Sequence, residues 1–289
     1  MRRVTLREDD QVYFLHIPKT AGSSLVDLLH NYLPDEERPH YLLRDLLNPP
    51  AVLLKQRLIV GHTYYTLHHF LPRPPVCITM LREPVDQVVS HFRHIKRSPE
   101  HHLHDRFHDK TLLDFLHDPK MARIIRNYQT FNLAADTDPR ALARDLTPAQ
   151  RERADINGLM MRACDHLGER ELLDHVKARL HDFVFVGITE RFDDSLELLT
   201  YTFRWPPFSR SVQLNRDPNP FLEIPQDARD LIEENTQLDQ QIYQFALNLL
   251  ETRRREMISD LLQTDHAYHK RRWQTRLASL RSRSTAISR

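Results

Sequence analysis

The chain has 289 residues, 40% of them hydrophobic and 28% charged, which is the composition of an ordinary globular protein large enough to bury a core. Its formal net charge of +1 excludes a general attraction to nucleic acid, and no apolar run reaches the ~18 residues that a membrane-spanning helix needs. Two cysteines are too few for a disulfide scaffold, and the basic N-terminal segment lacks the apolar core of a signal peptide, so we expect a soluble, cytoplasmic protein.

Four short apolar runs predict buried strands of a parallel sheet, namely Val12–Ile17, Arg57–Gly61, Val76–Leu81 and Phe183–Ile188. Helical patterns lie between and after these runs, at Gly22–Tyr32, Pro84–Arg97, Glu171–Leu180, Asp193–Phe203 and Pro225–Leu262. Strands that alternate with helices predict an α/β fold in which helices flank a central parallel sheet. Ligands of such sheets bind at the carboxyl ends of the strands.

Three segments lie outside the alternating strands and helices: an insertion, a loop and a C-terminal tail. Residues 98–180 predict a helical insertion over the sheet edge that could form an acceptor site or a lid. Arg204–Asn219 predicts an ordered loop rich in proline and arginine. We expect a single domain over residues 1–265. The segment 266–289 follows it as a basic tail without acidic residues, and the sequence does not determine the oligomeric state.

The first motif is HIPKTAGSSL at residues 16–25, between a predicted strand and a predicted helix. Unpaired backbone N–H groups at a helix start attract an anion, and Lys19 adds a full positive charge. The hydroxyls of Thr20, Ser23 and Ser24 can donate further hydrogen bonds. The lysine precedes Gly22 and the first glycine of a nucleoside-triphosphatase loop is missing, so the motif predicts a phosphate or sulfate site of another kind.

The second motif is LREPVDQVVSHF at residues 81–92. A magnesium-dependent nucleotidase needs an aspartate at a neighbouring strand end, whereas this strand ends at Arg82, which recognises an anion. Ser90 lies about two helical turns further on and could share that anion. Together the two motifs predict a ligand with two anionic groups that is bound without a metal.

These residues carry a family resemblance. HIPKTAGSS resembles the 5′-phosphosulfate-binding loop of sulfotransferases that use 3′-phosphoadenosine 5′-phosphosulfate (PAPS), and LREPVDQVVSHF resembles their 3′-phosphate-binding segment. Together with Gly61–His62 and HDFVFVGITERFDDSLELL, the motif HIPKTAG looks most like the uronosyl or heparan-sulfate 2-O-sulfotransferase branch. The resemblance covers roughly residues 11–95 and 181–220 and is weak elsewhere.

The resemblance implies a P-loop-like sulfotransferase fold that moves the sulfuryl group of PAPS to a hydroxyl, most plausibly of a sugar or glycan. The donor would lie on the backbone of residues 20–24, that is Thr20, Ala21, Gly22, Ser23 and Ser24. Lys19 would neutralise the leaving phosphate, Arg82 and Ser90 would bind the 3′-phosphate, and His62 matches the general base. A second histidine can precede that base by two positions in the 2-O branch, but Val60 stands there in this chain.

Other interpretations remain open from the sequence. His16 could touch a substrate or pack in the core, and His62 could instead cap its strand. His104 and His108 have the spacing of metal ligands on a helix, but no cysteine and no second spaced pair completes a site, so we predict an exposed polar loop or an acceptor contact over residues 98–109 and no metal there. We also predict no metal requirement for the reaction. A kinase with a degenerate loop and a non-catalytic nucleotide-binding module are the alternative functions.

Overall fold

The computed structural model describes the backbone of residues 3–207 and 224–286, with side chains up to residue 264. Within it, five strands form one parallel sheet in the order β2-β3-β1-β4-β5. The strands are β1 (Val12–Leu15), β2 (His40–Leu42), β3 (Leu58–His62), β4 (Val76–Leu81) and β5 (Phe185–Ile188). Helices flank this sheet, so the predicted α/β class is confirmed.

Thirteen α-helices lie in the described part of the chain. They are α1 (Gly22–Leu29), α2 (Pro84–Arg97), α3 (His104–Phe107), α4 (Leu112–His117), α5 (Ala122–Ile125), α6 (Tyr128–Ala134), α7 (Pro139–Leu142), α8 (Pro148–Arg153), α9 (Ile156–Arg162), α10 (Glu169–Asp182), α11 (Phe192–Phe203), α12 (Gln226–Asn235) and α13 (Gln237–Ala286). Short 3-10 helices cover Leu43–Leu47, Ala51–Leu54, Tyr64–Phe70, Pro119–Met121 and Thr189–Arg191.

The predicted strands and helices are present in the structure, with boundaries that differ by a few residues from the predicted ones. The helix α2 has the predicted boundaries. The strand β2 was not predicted. It has three residues and forms an edge of the sheet, so it carries no apolar run that a sequence pattern could show. The predicted insertion contains α3 to α9, and its phenylalanines Phe107 and Phe115 pack against Phe92 of α2 in one buried cluster.

The described chain separates into two units, with the boundary between Leu250 and Glu251. All the site residues discussed below belong to the larger unit. Most of the predicted loop at 204–219 and the side chains of the basic tail at 266–289 lie outside the described residues. Among the described residues, no helix combines the length and the apolar character that crossing a bilayer requires.

Candidate active site

Three neighbouring strands end at the same edge of the sheet, and each carries a predicted site residue there. The central strand β1 pairs Leu15 with Gly61 of β3 and with Thr79 of β4. The chain continues from Leu15 into the 16–21 loop, β3 ends at His62, and β4 runs through Leu81 into Arg82. The parallel register therefore brings the two motifs and the Gly61–His62 pair together, although they are far apart in sequence.

The loop before α1 has the backbone geometry of an anion-binding nest. Lys19 and Ala21 adopt left-handed conformations, with φ of 70° and 62°, on either side of Thr20. Alternating backbone conformations of this kind turn successive N–H groups into one concave surface. Within the described residues no side chain caps the first turn of α1, so its N–H groups remain for a ligand.

Two internal contacts hold this loop in shape. The Thr20 side chain is fully buried, and its hydroxyl donates to the Ile17 carbonyl at 2.8 Å. Contact between Thr20 and a bound anion would therefore go through its backbone N–H. At Gly22, a Cβ atom would lie 1.9 Å from Nε2 of His16, so the close approach of the His16 ring requires glycine there.

Arg82 joins the two motifs. Its Nη1 donates to the Lys19 carbonyl at 3.2 Å, and its Nε lies 3.7 Å from the Glu190 carboxylate. The backbone of Arg82 is fixed by Gln129, which accepts from the Arg82 N–H at 3.0 Å and donates to its carbonyl at 2.8 Å. The guanidinium is thus pre-positioned beside the loop, where an anion on the loop would meet it.

Supporting residues of the site were missed by the sequence patterns. Gln87 of α2 is buried and donates to the Pro18 carbonyl at 3.1 Å, so α2 also holds the loop. The carboxylate of Asp239 accepts from the backbone N–H groups of Gln129 and Thr130, at 3.1 and 2.7 Å, and fixes the start of α6. These partners are distant in the chain, so no local motif could indicate them.

His62 has a defined tautomer. Its Nδ1 lies 2.6 Å from the His16 carbonyl, which only accepts, so Nδ1 carries the proton and Nε2 presents a lone pair. Burial, with the nearby His40 adding to the shift, lowers the pKa of His62 to about 4, although the bond to the His16 carbonyl opposes the shift. The imidazole is therefore neutral near pH 7 and can accept a proton at Nε2.

Three histidines gather at this edge: His16, His40 and His62. The ring centroids of His40 and His62 are 4.2 Å apart, and those of His16 and His62 are 4.6 Å apart. One nitrogen from each ring lies within 4.8 Å of the other two, a grouping that could hold a metal ion. Only one other such group occurs among the described residues, at His68, His69 and Asp136, so His104 and His108 lack a third ligand there.

These elements surround a cavity of about 1830 Å³. The volume exceeds the roughly 300–1,000 Å³ of typical small-molecule pockets, so there is room for two substrates. The predicted residues that line it are Lys19, Ala21, Gly22, Ser23, Ser24, His62, Arg82 and Ser90, with Thr20 turned inward. The lining from α2 and the insertion also carries Arg93, Arg97, Lys120, Arg123, Arg126 and Arg162.

Another histidine of this cavity was not anticipated. His91 follows Ser90 in α2, is 7% exposed and lines the cavity. Its Nδ1 has no hydrogen-bond partner among the described residues. Burial lowers the pKa of His91 to about 3, with Lys19 adding to the shift, so this ring is also neutral.

Comparison with known proteins gives distant relatives of one kind. The chain is 28% identical over 194 residues to heparan-sulfate 6-O-sulfotransferase 3-B of Danio rerio, covering 60% of this chain and 42% of the relative. It is 27% identical over 215 residues to heparan-sulfate 6-O-sulfotransferase 3 of Homo sapiens, covering 71% of this chain and 42% of the relative. The chain thus spans less than half the length of these curated relatives, and no family model matches it.

This similarity supports a relationship with sulfotransferases, in agreement with the resemblance of the two motifs. It does not support the narrower assignment to the 2-O branch, because both relatives are 6-O-sulfotransferases by name. The interpretation as a 2-O enzyme used HIPKTAG, Gly61–His62 and HDFVFVGITERFDDSLELL, and these motifs did not indicate the branch of the two relatives.

Proposed function

We propose that this protein is a PAPS-dependent sulfotransferase that moves a sulfuryl group to a hydroxyl of a carbohydrate acceptor. One observation carries the proposal: the nest at 19–24, the Arg82 guanidinium and the Nε2 side of His62 share one cavity at the carboxyl edge of a parallel sheet. The relatives in the sulfotransferase family agree with it.

The donor has two anionic ends, and the cavity offers two matching places. The phosphosulfate would lie on the N–H groups of the nest and of the first turn of α1, next to Lys19. The 3′-phosphate would lie against Arg82 and Ser90, which line the same cavity. Because Arg82 also donates to the Lys19 carbonyl, a phosphate bound at Arg82 would restrict the motion of the nest, and an anion bound in the nest would restrict the motion of Arg82.

The transfer itself is a displacement at sulfur. The acceptor hydroxyl oxygen attacks the sulfur as the bond from sulfur to the bridging oxygen breaks, and 3′-phosphoadenosine 5′-phosphate leaves. His62 takes the hydroxyl proton at Nε2, since its Nδ1–H is already committed to the His16 carbonyl. Lys19 and the nest N–H groups stabilise the charge that develops on the departing phosphate.

The acceptor would approach from the wall formed by α2 and the insertion. The arginines and lysines there outnumber the acidic lining residues Asp86, Asp155 and Asp165. That excess favours an acceptor that is itself anionic, such as a carboxylated or sulfated glycan. The 6-O-sulfotransferase names of the relatives point to the same class and make a primary hydroxyl the first position to examine.

A transfer assay tests the proposal. The protein is incubated in EDTA with PAPS labelled in the sulfuryl group and a panel of uronate-containing glycans, neutral glycans and simple alcohols, and in parallel with Mg²⁺ and ATP labelled in the γ-phosphate. We expect label to pass from PAPS to an anionic glycan without added metal. Label passing only from ATP would indicate a kinase, and tight PAPS binding without transfer to any acceptor would indicate a binding module.

A further inference from the structure

The histidine cluster joins residues from three different elements. His16 follows β1, His40 begins β2 and His62 ends β3, and parallel pairing places β3 between the other two strands. The side chains of His16 and His62 also line the cavity. The donor-binding roles derived above use neither His16 nor His40 as a side chain, so their gathering around His62 calls for an explanation of its own.

One ring nitrogen from each of the three histidines lies close enough to the other two to share a metal ion. Nδ1 of His16 and Nε2 of His40 share a hydrogen bond of 2.9 Å, so a metal ion would have to replace the proton between them. Their separation is close to the roughly 3.3 Å between two nitrogens bound at 2.0–2.1 Å to a tetrahedral ion. The Nδ1–H of His62 donates to a backbone carbonyl, which leaves Nε2 for coordination. A carbonyl behind a ligating imidazole is the usual outer support of a histidine metal ligand.

We propose that His16, His40 and His62 bind a divalent transition-metal ion of the zinc class, and that this ion inhibits transfer by occupying the lone pair of His62. Three imidazoles without a carboxylate suit Zn²⁺, Cu²⁺ or Ni²⁺ rather than Mg²⁺ or Ca²⁺. The metal-binding site is inferred from geometry alone. The inhibition of transfer depends in addition on the proposed role of His62 as the general base.

The surroundings set limits on this site. Lys19 lines the same cavity, and its positive charge repels a metal ion there. We therefore expect the metal ion to bind more weakly when no anion is bound beside Lys19. The other cluster, of His68, His69 and Asp136, is a poorer candidate because Arg179 already donates to the Asp136 carboxylate at 2.8 Å. It supplies a matched control, since its His69 is exposed, as His40 is.

The binding test uses the full chain stripped with EDTA and then titrated with Co²⁺ and with Zn²⁺. We expect one ion per chain, tetrahedral visible bands for Co²⁺, and displacement of Co²⁺ by Zn²⁺. His40→Ala changes an exposed residue and should weaken Zn²⁺ binding by at least about tenfold, while His69→Ala should not change it. Equal binding by His40→Ala and the wild type, or loss of binding only in His69→Ala, would overturn the site.

The activity test compares transfer rates with and without Zn²⁺, each relative to the same variant in EDTA. Zn²⁺ should inhibit the wild type and His69→Ala at the concentration at which it binds, and His40→Ala should need at least about tenfold more. Zn²⁺ that binds without slowing transfer, or that accelerates it, would overturn the inhibition. If no transfer is found under any condition, the proposed function fails, and the Co²⁺ spectrum still decides the metal site.

Discussion

The guanidinium of Arg82 donates to the backbone carbonyl of Lys19 at 3.2 Å, so the residue predicted for one anion is bonded to the loop predicted for the other. Arg82→Ala removes both the bond and the charge. We expect 3′-phosphoadenosine 5′-phosphate to bind about 10- to 100-fold more weakly, as loss of a hydrogen bond to a charged group implies. Calorimetric titration measures this.

Arg82→Lys is the matched control for that variant. It keeps the charge but loses the planar fork that can grip a phosphate and a carbonyl together, so its affinity should fall between those of Arg82→Ala and the wild type. Undiminished binding by Arg82→Ala would mean that the 3′-phosphate lies elsewhere.

Gln87 should contribute through the loop rather than through direct contact with the substrate. Gln87→Ala leaves the Pro18 carbonyl without its buried donor, which costs about 1–3 kcal/mol of the free energy of unfolding and should also weaken donor binding. Gln240→Ala removes a bond of the same 3.1 Å length, but exposed, to the Glu233 carbonyl away from the loop. Urea unfolding and donor titration of both variants should separate them, and equal effects would contradict the supporting role of Gln87.

Gly22 should be intolerant of even one methyl group. The Cβ of Gly22→Ala would overlap the buried His16 ring, so the ring or the loop must move, at a cost of about 1–3 kcal/mol of stability. Gly168→Ala is the control, because a Cβ there meets nothing within 4 Å, and its effect should stay within about 0.5 kcal/mol. Thermal unfolding with and without donor checks both, and a fully stable Gly22→Ala that binds donor would refute the packing argument.

The parts of the site that lie in one stretch of sequence were predictable, and the parts made by distant contacts were not. The residues Lys19, Arg82 and His62 were predicted from short motifs at or just after strand ends, and all three line one cavity. The contact between Arg82 and Gln129 spans 47 residues, and the contact between Gln129 and Asp239 spans 110. Only folding brings the residues of such a pair together, so no spacing of residue types along the sequence predicts the contact.

His40 was missed for a related reason. It starts a three-residue edge strand that lacks the apolar run by which the other four strands were recognised. The prediction that no metal is required followed from the two anion-binding motifs, and the histidine pair that was considered for a metal, His104 and His108, has a local spacing. The cluster of His16, His40 and His62 arises from strand order, which the sequence does not display.

Asp239 predicts a dependence of stability on pH. Burial raises the pKa of this carboxyl from 3.8 to about 6, although hydrogen bonds from Thr130 and its neighbours oppose the shift. The folded protein therefore holds a proton that the unfolded chain releases between about pH 4 and 6. Over that range the contribution of Asp239 to the free energy of unfolding falls as pH rises, by up to about 3 kcal/mol for two units.

Asp239→Asn removes the titration while keeping an oxygen acceptor. Relative to the wild type, the variant should therefore gain stability as pH rises from 4.5 to 7. Urea unfolding of both proteins across this range measures the difference, and a difference that stays flat or changes with the opposite sign would rule out a raised pKa.

The central claim concerns His62, and its most direct test is a single-turnover transfer assay of His62→Ala in EDTA, with donor affinity measured on the same sample. The ring is held through Nδ1 by the His16 carbonyl and is assigned no part in holding the donor. The account predicts that 3′-phosphoadenosine 5′-phosphate binds the variant as it binds the wild type, while transfer slows by about 10²- to 10⁴-fold. Transfer by His62→Ala at the rate of the wild type would contradict it.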